Sequence, residues 1–316
     1  MSDQSAIKYS NWNPKKIGFA LKKESLAAEV LALKLGSYLL TRGYSVGFVK
    51  DNASVGSDLM RHISVHKAVK KSKILPPVSL PKMSQVYDLI LVLGGDGTFL
   101  GVSRMITKRS VPILGVNMGQ LGFLTEIKKE EIFDVLTHIL DSREIVFNER
   151  ALFEVTVKRR KKIVYSGPFV NDAVLSKGSI SHMVSIQILV NGKWANSLRA
   201  DGMIVSTPTG STAYSLAAGG PILVPSLPAV VLTPICPHSL TQRPLVVPDE
   251  ATIELKLENR SGEVLLILDG QDVVGIKYED IITIKKSKKQ RLKIVSSPQR
   301  DYFSLIREKF KFGTRL

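Results

Sequence analysis

The residue pattern predicts an α/β domain with a Rossmann-like parallel sheet, followed by an all-β domain and a C-terminal tail segment. Strand-like and helix-like runs alternate through residues 16–140. From Ile145 onward, short strand-like runs separated by turn signals dominate. The length of 316 residues is enough for one large domain or two of ordinary size. We therefore expect an α/β domain over 1–144, a β-rich domain over 145–295, and a tail over 296–316 that packs back on the first domain.

The first domain has the pattern of repeated βα units. VYDLILVL is a continuous apolar run, typical of a strand buried on both faces of a parallel sheet. ESLAAEVLALKLGSYLLTRG has apolar residues at helical spacing and ends at Gly43, a residue that stops helices. This order favours a doubly wound, parallel sheet. The other predicted elements are strands at KKIGFAL, YSVGFVK and VPILGV and helices over about 98–107 and 129–140.

Residues 51–85 are the least regular part of the first domain. They are polar and basic, and they contain Pro76, Pro77 and Pro81. Proline disfavours helix interiors and paired strands because it lacks the backbone N–H group. We therefore expect an exposed excursion near the functional site.

The second domain consists of short runs in which apolar and polar residues alternate, the pattern of strands with one buried face. Asn191-Gly192 is a strong hairpin signal between two of these runs. Helix-like sequence is confined to about 211–218 and to the tail near 301–309. We therefore expect a mostly antiparallel β domain. Its strand-like runs are EIVFNERALFEVTVKRR, KIVYSG, PFVNDAVLS, HMVSIQILV, KWANSLR, GMIVST, ATIELKLE, EVLLILDG and DIITIKK.

The charge of the chain restricts its partners. A net charge of +16 suits nucleotides, polyphosphates, nucleic acid or a membrane surface. From Lys285 to the end, eleven Lys and Arg residues stand against two acids. No zinc-finger, helix-turn-helix or RNP aromatic pattern accompanies them. A solvated basic face is therefore favoured over a nucleic-acid interface.

Cysteine content and hydropathy restrict the compartment. Cys236 is the only cysteine, which excludes an intrachain disulfide and a cysteine-based zinc cluster. No apolar run reaches the roughly 18 residues of a membrane span, and the polar first residues do not resemble a signal peptide. His62 and His66 are four residues apart but lack the HExxH pattern, so no protein metal site is expected. We expect a cytoplasmic protein without a membrane partner.

A glycine-rich turn follows the apolar run LILVL directly. Ligands bind at the carboxyl ends of strands in open α/β sheets, and Gly94, Gly95 and Gly97 let the backbone approach phosphate oxygens. Thr98 can cap the next helix, whose N-terminus favours anions. Asp96 would repel phosphate unless it accepts a proton from an attacking hydroxyl group or holds Mg²⁺. The alternative is a structural turn in which Asp96 bonds only its own backbone.

The turn GGDGT resembles the signature of a superfamily that contains NAD kinases, diacylglycerol and sphingosine kinases and, with Ser for Thr, phosphofructokinases. Neither a dinucleotide-binding GxGxxG nor a Walker A GxxxxGK occurs. Five further segments resemble NAD kinases in their residues and in their order along the chain. They are GVNMGQLGFLTE, FVNDAV, RADGMIVSTPTGSTAYSLAAGGPIL, PICPHSLTQRPLVVP and LDGQ. The resemblance covers about residues 87–275. Ala200 is a small departure, because the family usually has Gly there.

The resemblance implies ligand-binding residues in addition to a catalytic Asp96. Asn171 and Asp172 suit ribose hydroxyl groups, which both donate and accept hydrogen bonds, although an Asx turn would also explain the pair. STPTGSTAYS would line the adenosine side of NAD, with a polar surface loop as its alternative. Phe123 would face the cofactor or simply pack. The implied binding residues are Gly94, Gly95, Gly97, Thr98, Asn117, Phe123, Asn171, Asp172, His182, Arg199, Asp201, Thr212, Ala213, Tyr214, Ser215, Leu216, Ala217 and Gln271.

The function implied by the resemblance is that of an NAD kinase. Such an enzyme transfers a phosphoryl group from ATP or polyphosphate to the 2′-hydroxyl of the adenosine ribose of NAD, giving NADP. Mg²⁺ or another divalent cation would accompany ATP, held mostly by phosphate and water. Basic side chains of 61–73 or of the C-terminal run would offset the donor charge. A homo-oligomer, dimer or tetramer, is also implied, with the NAD pocket completed by a neighbouring subunit.

Three other functions share some of these features. A lipid kinase could carry the same turn but would need an apolar acyl pocket. A non-catalytic NAD sensor could keep the fold, although it has little use for an anion beside phosphates. A basic nucleic-acid-binding protein is supported by charge alone. A nucleophilic role for Ser211 or Ser215 would need a His–Asp pair that nothing in the sequence specifies.

Overall fold

The chain divides into two compact units. One unit runs up to Glu149 and resumes at Leu292, and the other runs from Arg150 to Arg291. Each unit has its own apolar core. The computed structural model describes residues 6–63, 73–105, 109–178, 182–260 and 262–312, without the side chains of 61–63 and 289.

The first unit is built on a parallel sheet in the strand order β5-β4-β2-β3. All six residues of β4 are buried, as a central strand covered on both faces requires. Its elements are β1 (Ala6–Tyr9), β2 (Lys16–Leu21), α1 (Leu26–Thr41), β3 (Ser45–Phe48), a 3₁₀ turn (Lys50–Asn52), α2 (Ala53–Ile63), α3 (Leu80–Val86), β4 (Leu89–Gly94), α4 (Asp96–Met105), β5 (Pro112–Asn117), β6 (Ile127–Lys128), α5 (Ile132–Ser142) and the start of β7 (Ile145–Arg159).

The expectation of an exposed excursion over residues 51–85 was wrong for two stretches, while 73–79 lie outside helices and are exposed or half-buried. Helices α2 and α3 occupy much of this segment, and Leu59 and Met83 are fully buried. Leu59 packs on α1 where Gly36 leaves room, because a Cβ at Gly36 would lie 2.6 Å from Leu59 Cδ2. The prolines made a helix look improbable in the sequence. Pro81, however, lies in the first turn of α3, where proline is tolerated. Residues 64–72 of this segment lie outside the described residues.

Two helix boundaries also differ from those predicted. Helix α4 begins at Asp96, two residues before the predicted start, so Thr98 lies inside the first turn and is not the cap. Helix α5 covers Ile132–Ser142 where about 129–140 was expected. The strand β4 therefore passes into helix α4 through Gly95 alone.

The second unit is antiparallel throughout its described strand pairs. One sheet has the order β14-β13-β12-β9-β16-β17, and β11-β10-β15-β18 form another antiparallel set. Apolar residues from both sets share one core. The elements are β8 (Lys162–Phe169), β9 (Asp172–Lys177), β10 (Val184–Val190), β11 (Lys193–Ala200), β12 (Gly202–Ser206), a 3₁₀ turn (Thr209–Thr212), α6 (Tyr214–Ala217), β13 (Ala229–Ile235), β14 (Leu245–Pro248), β15 (Ile253–Leu257), β16 (Val264–Leu268), β17 (Asp272–Ile276) and β18 (Ile281–Val295).

The chain leaves the first unit within β7 and returns to it within β18. The end of β18 pairs in parallel with β5, at Lys293 and Ile294. Helix α7 (Tyr302–Phe310) follows, and Asp301 and Ser304 close its start with a reciprocal capping box. These findings confirm the predicted fold class. In the described part of the chain, no helix has the length and apolar character needed to cross a membrane.

Candidate functional site

Asp96 lies where two neighbouring strands of the parallel sheet end. Gly94, the last residue of β4, is in register with Asn117, the last residue of β5. Asp96 is half-buried and opens helix α4. A Cβ on Gly94 would lie 2.6 Å from Thr98 Oγ1, whereas Gly95 and Gly97 have open space around them. The open turn can therefore admit a ligand close to its backbone.

The carboxylate of Asp96 holds the loop that follows β5, residues 118–126, which we name loop A. The N–H of Phe123 donates to Oδ2 at 2.8 Å. The N–H groups of Leu124 and Thr125 each donate to Oδ1 at 3.1 Å, and the Thr125 hydroxyl donates to the same oxygen at 2.9 Å. A Cβ on Gly122 would overlap with Oδ1. Asp96 therefore bonds a neighbouring loop, and not merely its own turn.

Asn117 extends this hydrogen-bond network into the core. Its side chain is buried, and its Nδ2 donates to the Gln120 carbonyl at 2.6 Å and to Thr125 Oγ1 at 3.1 Å. Its Oδ1 accepts from the Gly119 N–H at 2.7 Å. Asn117 thus shapes loop A from inside, and Thr125 connects it to Asp96.

Phe123 contacts the C-terminal helix of the same unit. Its ring lies 6.3 Å from that of Tyr302 and 5.7 Å from that of Phe310, centroid to centroid. The amino group of Lys309 lies 6.0 Å from the Phe123 ring centroid. Packing therefore accounts for one face of this side chain, and a role toward cofactor stays a prediction.

A second carboxylate organises the start of β9 in the other unit. Asp269 Oδ1 accepts from the N–H groups of Asn171 and Asp172, at 2.7 and 3.1 Å. Its Oδ2 accepts from the N–H of Val170 at 2.9 Å. Asp269 is buried and has a φ of 50°, at the turn between β16 and β17. We name residues 170–172 the corner; Asp269 fixes its backbone, so an Asx turn of Asn171 is not needed to explain it.

The loop after β12 wraps around the corner. Thr207 Oγ1 donates to the Val170 carbonyl at 2.6 Å, and the Thr207 N–H donates to the Asn171 carbonyl at 2.9 Å. Gly210 packs on the Asn171 backbone so closely that a Cβ there would overlap with it. Asn171 Oδ1 is buried, and no hydrogen-bond partner exists for it among the described residues. An unpartnered buried amide oxygen points to a ligand with a hydrogen-bond donor.

Asp172 is almost fully buried beside Asp269. Burial raises the pKa of Asp172 to about 7, with the charge of Asp269 as a second cause. At neutral pH its carboxyl group can therefore carry a proton and donate a hydrogen bond, or lose it and accept one.

The predicted adenosine-side residues lie in a short helical segment with one buried face. Ser215 is buried, and its hydroxyl bonds Thr233 Oγ1 at 2.9 Å. Ser211 is also buried; it donates to the Pro208 carbonyl at 2.7 Å and accepts from the Leu223 N–H at 3.0 Å. Neither hydroxyl bonds a histidine in the described structure, so nothing there supports the nucleophile alternative, and a role of Ser215 on the adenosine side stays a prediction. The other predicted members are half-buried or exposed: Thr212, Ala213, Tyr214, Leu216 and Ala217.

The remaining predicted binding residues lie at the surface of the second unit. Asp201 forms an ion pair with Lys177 at 2.7 Å, with both side chains one-third exposed. Arg199 is exposed near the end of β11, and His182 is exposed just before β10. Gln271 is exposed in the β16–β17 turn. The structure places Gln271 two residues from Asp269, in the turn that holds the corner.

The described residues contain no group of three or more His, Cys, Asp and Glu side chains suited to a metal ion. His66, the side chain of His62, and most of the basic segment 61–73 lie outside what the structure describes. The carboxylate of Asp96 keeps free acceptor capacity, since Oδ2 accepts one hydrogen bond among the described residues. Asp96 can therefore accept a proton or contact a hydrated cation.

Asp269 and Thr125 are the structurally central residues that sequence reasoning missed. Asp269 stands in the motif LDGQ, of which only Gln271 was predicted as a binding residue. The Asp-Gly pair was a readable turn signal, since both residues adopt positive φ, of 50° and 66°. Thr125 gave no such signal, because its role depends on a partner 29 residues earlier in the chain.

Comparison with known proteins explains this arrangement. Residues 17–145 match the ATP-NAD kinase N-terminal domain, and residues 170–297 match the ATP-NAD kinase C-terminal domain. An NAD kinase of Geotalea daltonii is 39% identical over 95% of this chain and 100% of the relative. An NAD kinase of Aquifex aeolicus is 42% identical over 72% of this chain and 82% of the relative.

This chain also resembles solved structures. Yeast NADH kinase, crystallised with NADH, has a TM-score of 0.83 and 27% identity, covering 96% of this chain and 90% of that one. An NAD kinase from Archaeoglobus fulgidus in complex with ATP has a TM-score of 0.64 at 23% identity and covers 92% and 98% of the two chains, which supports the fold alone. With relatives matched over nearly its whole length, this chain belongs to the NAD kinase family of phosphotransferases.

Proposed function

We propose that this NAD kinase transfers a phosphoryl group from ATP or polyphosphate to the 2′-hydroxyl of the adenosine ribose of NAD, and that Asp96 accepts the hydroxyl proton. The main support for this proposal is the unequal number of hydrogen bonds that the two oxygens of the Asp96 carboxylate accept. Loop A holds Oδ1 with three hydrogen bonds, whereas Oδ2 accepts only one from the described residues. Oδ2 is therefore the oriented oxygen with a lone pair available for a substrate proton.

The proton transfer accompanies phosphoryl transfer late in the reaction. An alcohol is far less acidic than a carboxylic acid, so Asp96 takes the proton only as the oxygen–phosphorus bond forms. Most of the acceleration then comes from positioning and charge neutralisation. The open backbone around Gly95 and Gly97, at the start of α4, suits donor phosphates.

Magnesium or another divalent cation fits as a partner of the donor phosphates. A single half-buried carboxylate cannot cage Mg²⁺ by itself, but Mg²⁺ typically keeps several waters and binds one or two carboxylates plus phosphates. Because Oδ2 of Asp96 is assigned to the substrate proton, such an ion would be held mostly by the donor phosphates and water. The cation supplies charge neutralisation on the donor phosphates. Chelation with EDTA should abolish NADP formation, and added Mg²⁺ should restore it.

The second unit contributes groups suited to a nucleoside. Asn171 presents a buried, unpartnered oxygen, and Asp172 can donate or accept at neutral pH. We assign these two residues to polar groups of the dinucleotide. We assign the segment of Thr212, Ala213, Tyr214, Leu216 and Ala217 to its adenosine part. The yeast relative was crystallised with NADH, which supports a dinucleotide ligand over a lipid.

The decisive experiment measures the product and the position of its phosphate. Purified protein is incubated with NAD and either MgATP or polyphosphate, and NADP is quantified enzymatically and by phosphorus NMR. We expect 2′-phosphorylated product with at least one donor. Parallel incubations with diacylglycerol or sphingosine should give no phosphorylated lipid. NAD binding without NADP from any donor would identify a sensor and overturn the kinase proposal.

Assembly and location complete the proposal. We propose a cytoplasmic homo-oligomer. Exposed apolar side chains in the second unit support association: Leu240 is 91% exposed, and Leu227, Leu245 and Val246 are each more than 40% exposed. Sedimentation velocity at micromolar concentration should give a dimer or tetramer, and a single species of monomer mass would contradict it.

A further inference from the structure

The segment that follows β18 contacts loop A at Glu126, the last residue of the loop. Arg300 Nη1 donates to the carbonyl of Glu126 at 3.1 Å. The N–H of Ser297 donates to the carboxylate of Glu126 at 3.3 Å. Glu126 immediately follows Thr125, whose N–H and hydroxyl both bond Asp96. Two residues more than 170 positions away therefore hold Glu126, which directly follows the three residues whose N–H groups bond Asp96.

Arg300 also forms a two-point ion pair with Glu131, the residue that precedes helix α5. Nη1 lies 2.7 Å from Oε2, and Nη2 lies 2.5 Å from Oε1. Only 13% and 17% of the two side chains are exposed. The hydrogen bond from Arg300 lowers the pKa of Glu131, so this pair stays ionised at neutral pH. An arginine–carboxylate pair with two parallel hydrogen bonds fixes the relative orientation of the two side chains.

Helix α7 adds apolar contacts to the side chain of Phe123 in loop A. Tyr302 and Phe310 pack against the Phe123 ring, and the N–H of Phe123 bonds Asp96 Oδ2. Lys128 and Glu308 form a further, exposed ion pair at 3.6 Å. The segment 296–310, which we name the C-terminal clamp, thus contacts loop A at Phe123, the first of the three residues whose N–H groups bond Asp96, and at Glu126, the residue that follows the last of them.

We propose that the C-terminal clamp positions Asp96 for catalysis, with Arg300 as its principal positioning residue. Loop A has no regular secondary structure between 118 and 126 and contains two glycines, so side-chain contacts fix its shape: those of Asn117 from inside, at Gly119, Gln120 and Thr125, and those of the clamp at Phe123 and Glu126. The clamp holds the loop, and the loop aims the carboxylate through hydrogen bonds to both of its oxygens. This role rests on the proposed function of Asp96. Misplacement of a catalytic group by about 1 Å can cost about 100-fold in rate.

The first arm of the test separates positioning from general stability. Arg300→Ala should lower kcat by about tenfold or more and leave KM for NAD within about twofold, because the loss falls on alignment. The matched control is Arg159→Ala, which removes another two-point pair, to Asp280 at 2.7 and 2.8 Å in the other unit. That variant should lose thermal stability but keep kcat. Equal losses of kcat in both variants would overturn the proposal.

The second arm asks whether Arg300 acts through Asp96. On an Asp96→Asn background, Arg300→Ala should lower kcat by less than about twofold further, because residues that act as a unit are not additive. A full multiplicative loss would overturn the positioning role. If Arg300→Ala does not fold, Arg300→Lys and Glu131→Gln replace it. Both keep the side-chain size while breaking the two-point pair.

The third arm measures how well the backbone of loop A is held in place, independently of enzyme activity. Hydrogen exchange by mass spectrometry should show the amides of 123–125 exchanging at least about tenfold faster in Arg300→Ala than in the native protein. Unchanged exchange would overturn the clamp, whatever Asp96 does. Faster exchange with a native kcat would overturn its catalytic role. Native activity in Asp96→Asn would instead overturn the proposed role of Asp96 as proton acceptor, with the exchange result left intact as a separate finding.

Discussion

Asp96 in the first unit and Asp269 in the second use the same hydrogen-bond pattern for different purposes. Each accepts from three consecutive backbone N–H groups, those of 123–125 for Asp96 and those of 170–172 for Asp269. Asp269 is only 8% exposed, and both of its oxygens are used in holding the corner. Asp96 is half-buried, and one oxygen retains acceptor capacity. Backbone capping therefore does not mark a carboxylate as structural; what distinguishes the two is exposure, because a ligand can reach the half-buried Asp96 more readily than the buried Asp269.

The largest expected difference is in the rate. Asp96→Asn should lower kcat by about 100- to 10,000-fold, the usual contribution of a general base. The fold should survive, because the asparagine carbonyl can still accept from loop A. The measurement is steady-state NADP formation, with thermal melting to verify folding. Asp141→Asn is the control, a half-exposed carboxylate of the same unit paired with Arg42. Undiminished kcat in Asp96→Asn would remove the general-base assignment.

Asp269→Ala should show the reverse profile, with a loss of stability and NAD affinity. Three backbone N–H groups would lose their acceptor, and a buried donor left unsatisfied costs about 1–3 kcal/mol. Alanine also tolerates the φ of 50° poorly. Chemical denaturation and KM for NAD are the measurements. Asp269→Asn is the control, since asparagine accepts this φ and keeps one acceptor oxygen. A native melting curve in Asp269→Ala would contradict the capping role.

Two glycines allow the same comparison sterically. Gly122→Ala would push a methyl group into Asp96, and Gly210→Ala would push one into the Asn171 backbone. We expect the first to lower kcat by about 10- to 100-fold and the second to raise KM for NAD by about tenfold, as a 1–3 kcal/mol clash allows. Gly275→Ala is the control, because nothing lies near its Cβ position. If both variants changed only KM, the assignment of catalysis to Asp96 and of NAD binding to the corner would be wrong.

The smallest effect concerns the pH dependence of stability. Because the pKa of Asp172 is raised to about 7, the folded state binds a proton that the unfolded state has released above about pH 4. Stability from this group is therefore greatest below that pH and is lost as pH rises toward 7. Asp172→Asn removes the penalty, so it should raise Tm by a few degrees more at pH 8 than at pH 5. Equal shifts at the two pH values would contradict the buried, proton-linked state.

The sequence predicted the fold class because its signals are local. The apolar run before Gly94 and the alternating runs after Ile145 each describe a strand within its own few residues. The same reasoning failed for residues 53–63 and 80–86, whose helices are held by tertiary packing of Leu59 and Met83. Basic and proline-rich local sequence could not reveal which of its few apolar residues would be buried.

The candidate site was predictable only as far as single motifs reach. Asp96 and Asn171-Asp172 stand out because their residue types suit phosphate and ribose chemistry. Their supporting residues do not: Asp269 is 98 positions from Asn171, and Arg300 is 169 from Glu131. Such pairs form only when sheet register and chain return bring them together, which no local pattern specifies.

By itself, the sequence determined the glycine-rich turn after a buried strand, the family resemblance, and the identity of Asp96 as the chemically informative residue. The tertiary structure decided what holds that residue. Loop A bonds both oxygens of Asp96, and the C-terminal clamp bonds loop A. The physical reason is that a hydrogen bond is directional over about 3 Å. Only the folded chain can set that distance between residues far apart in sequence.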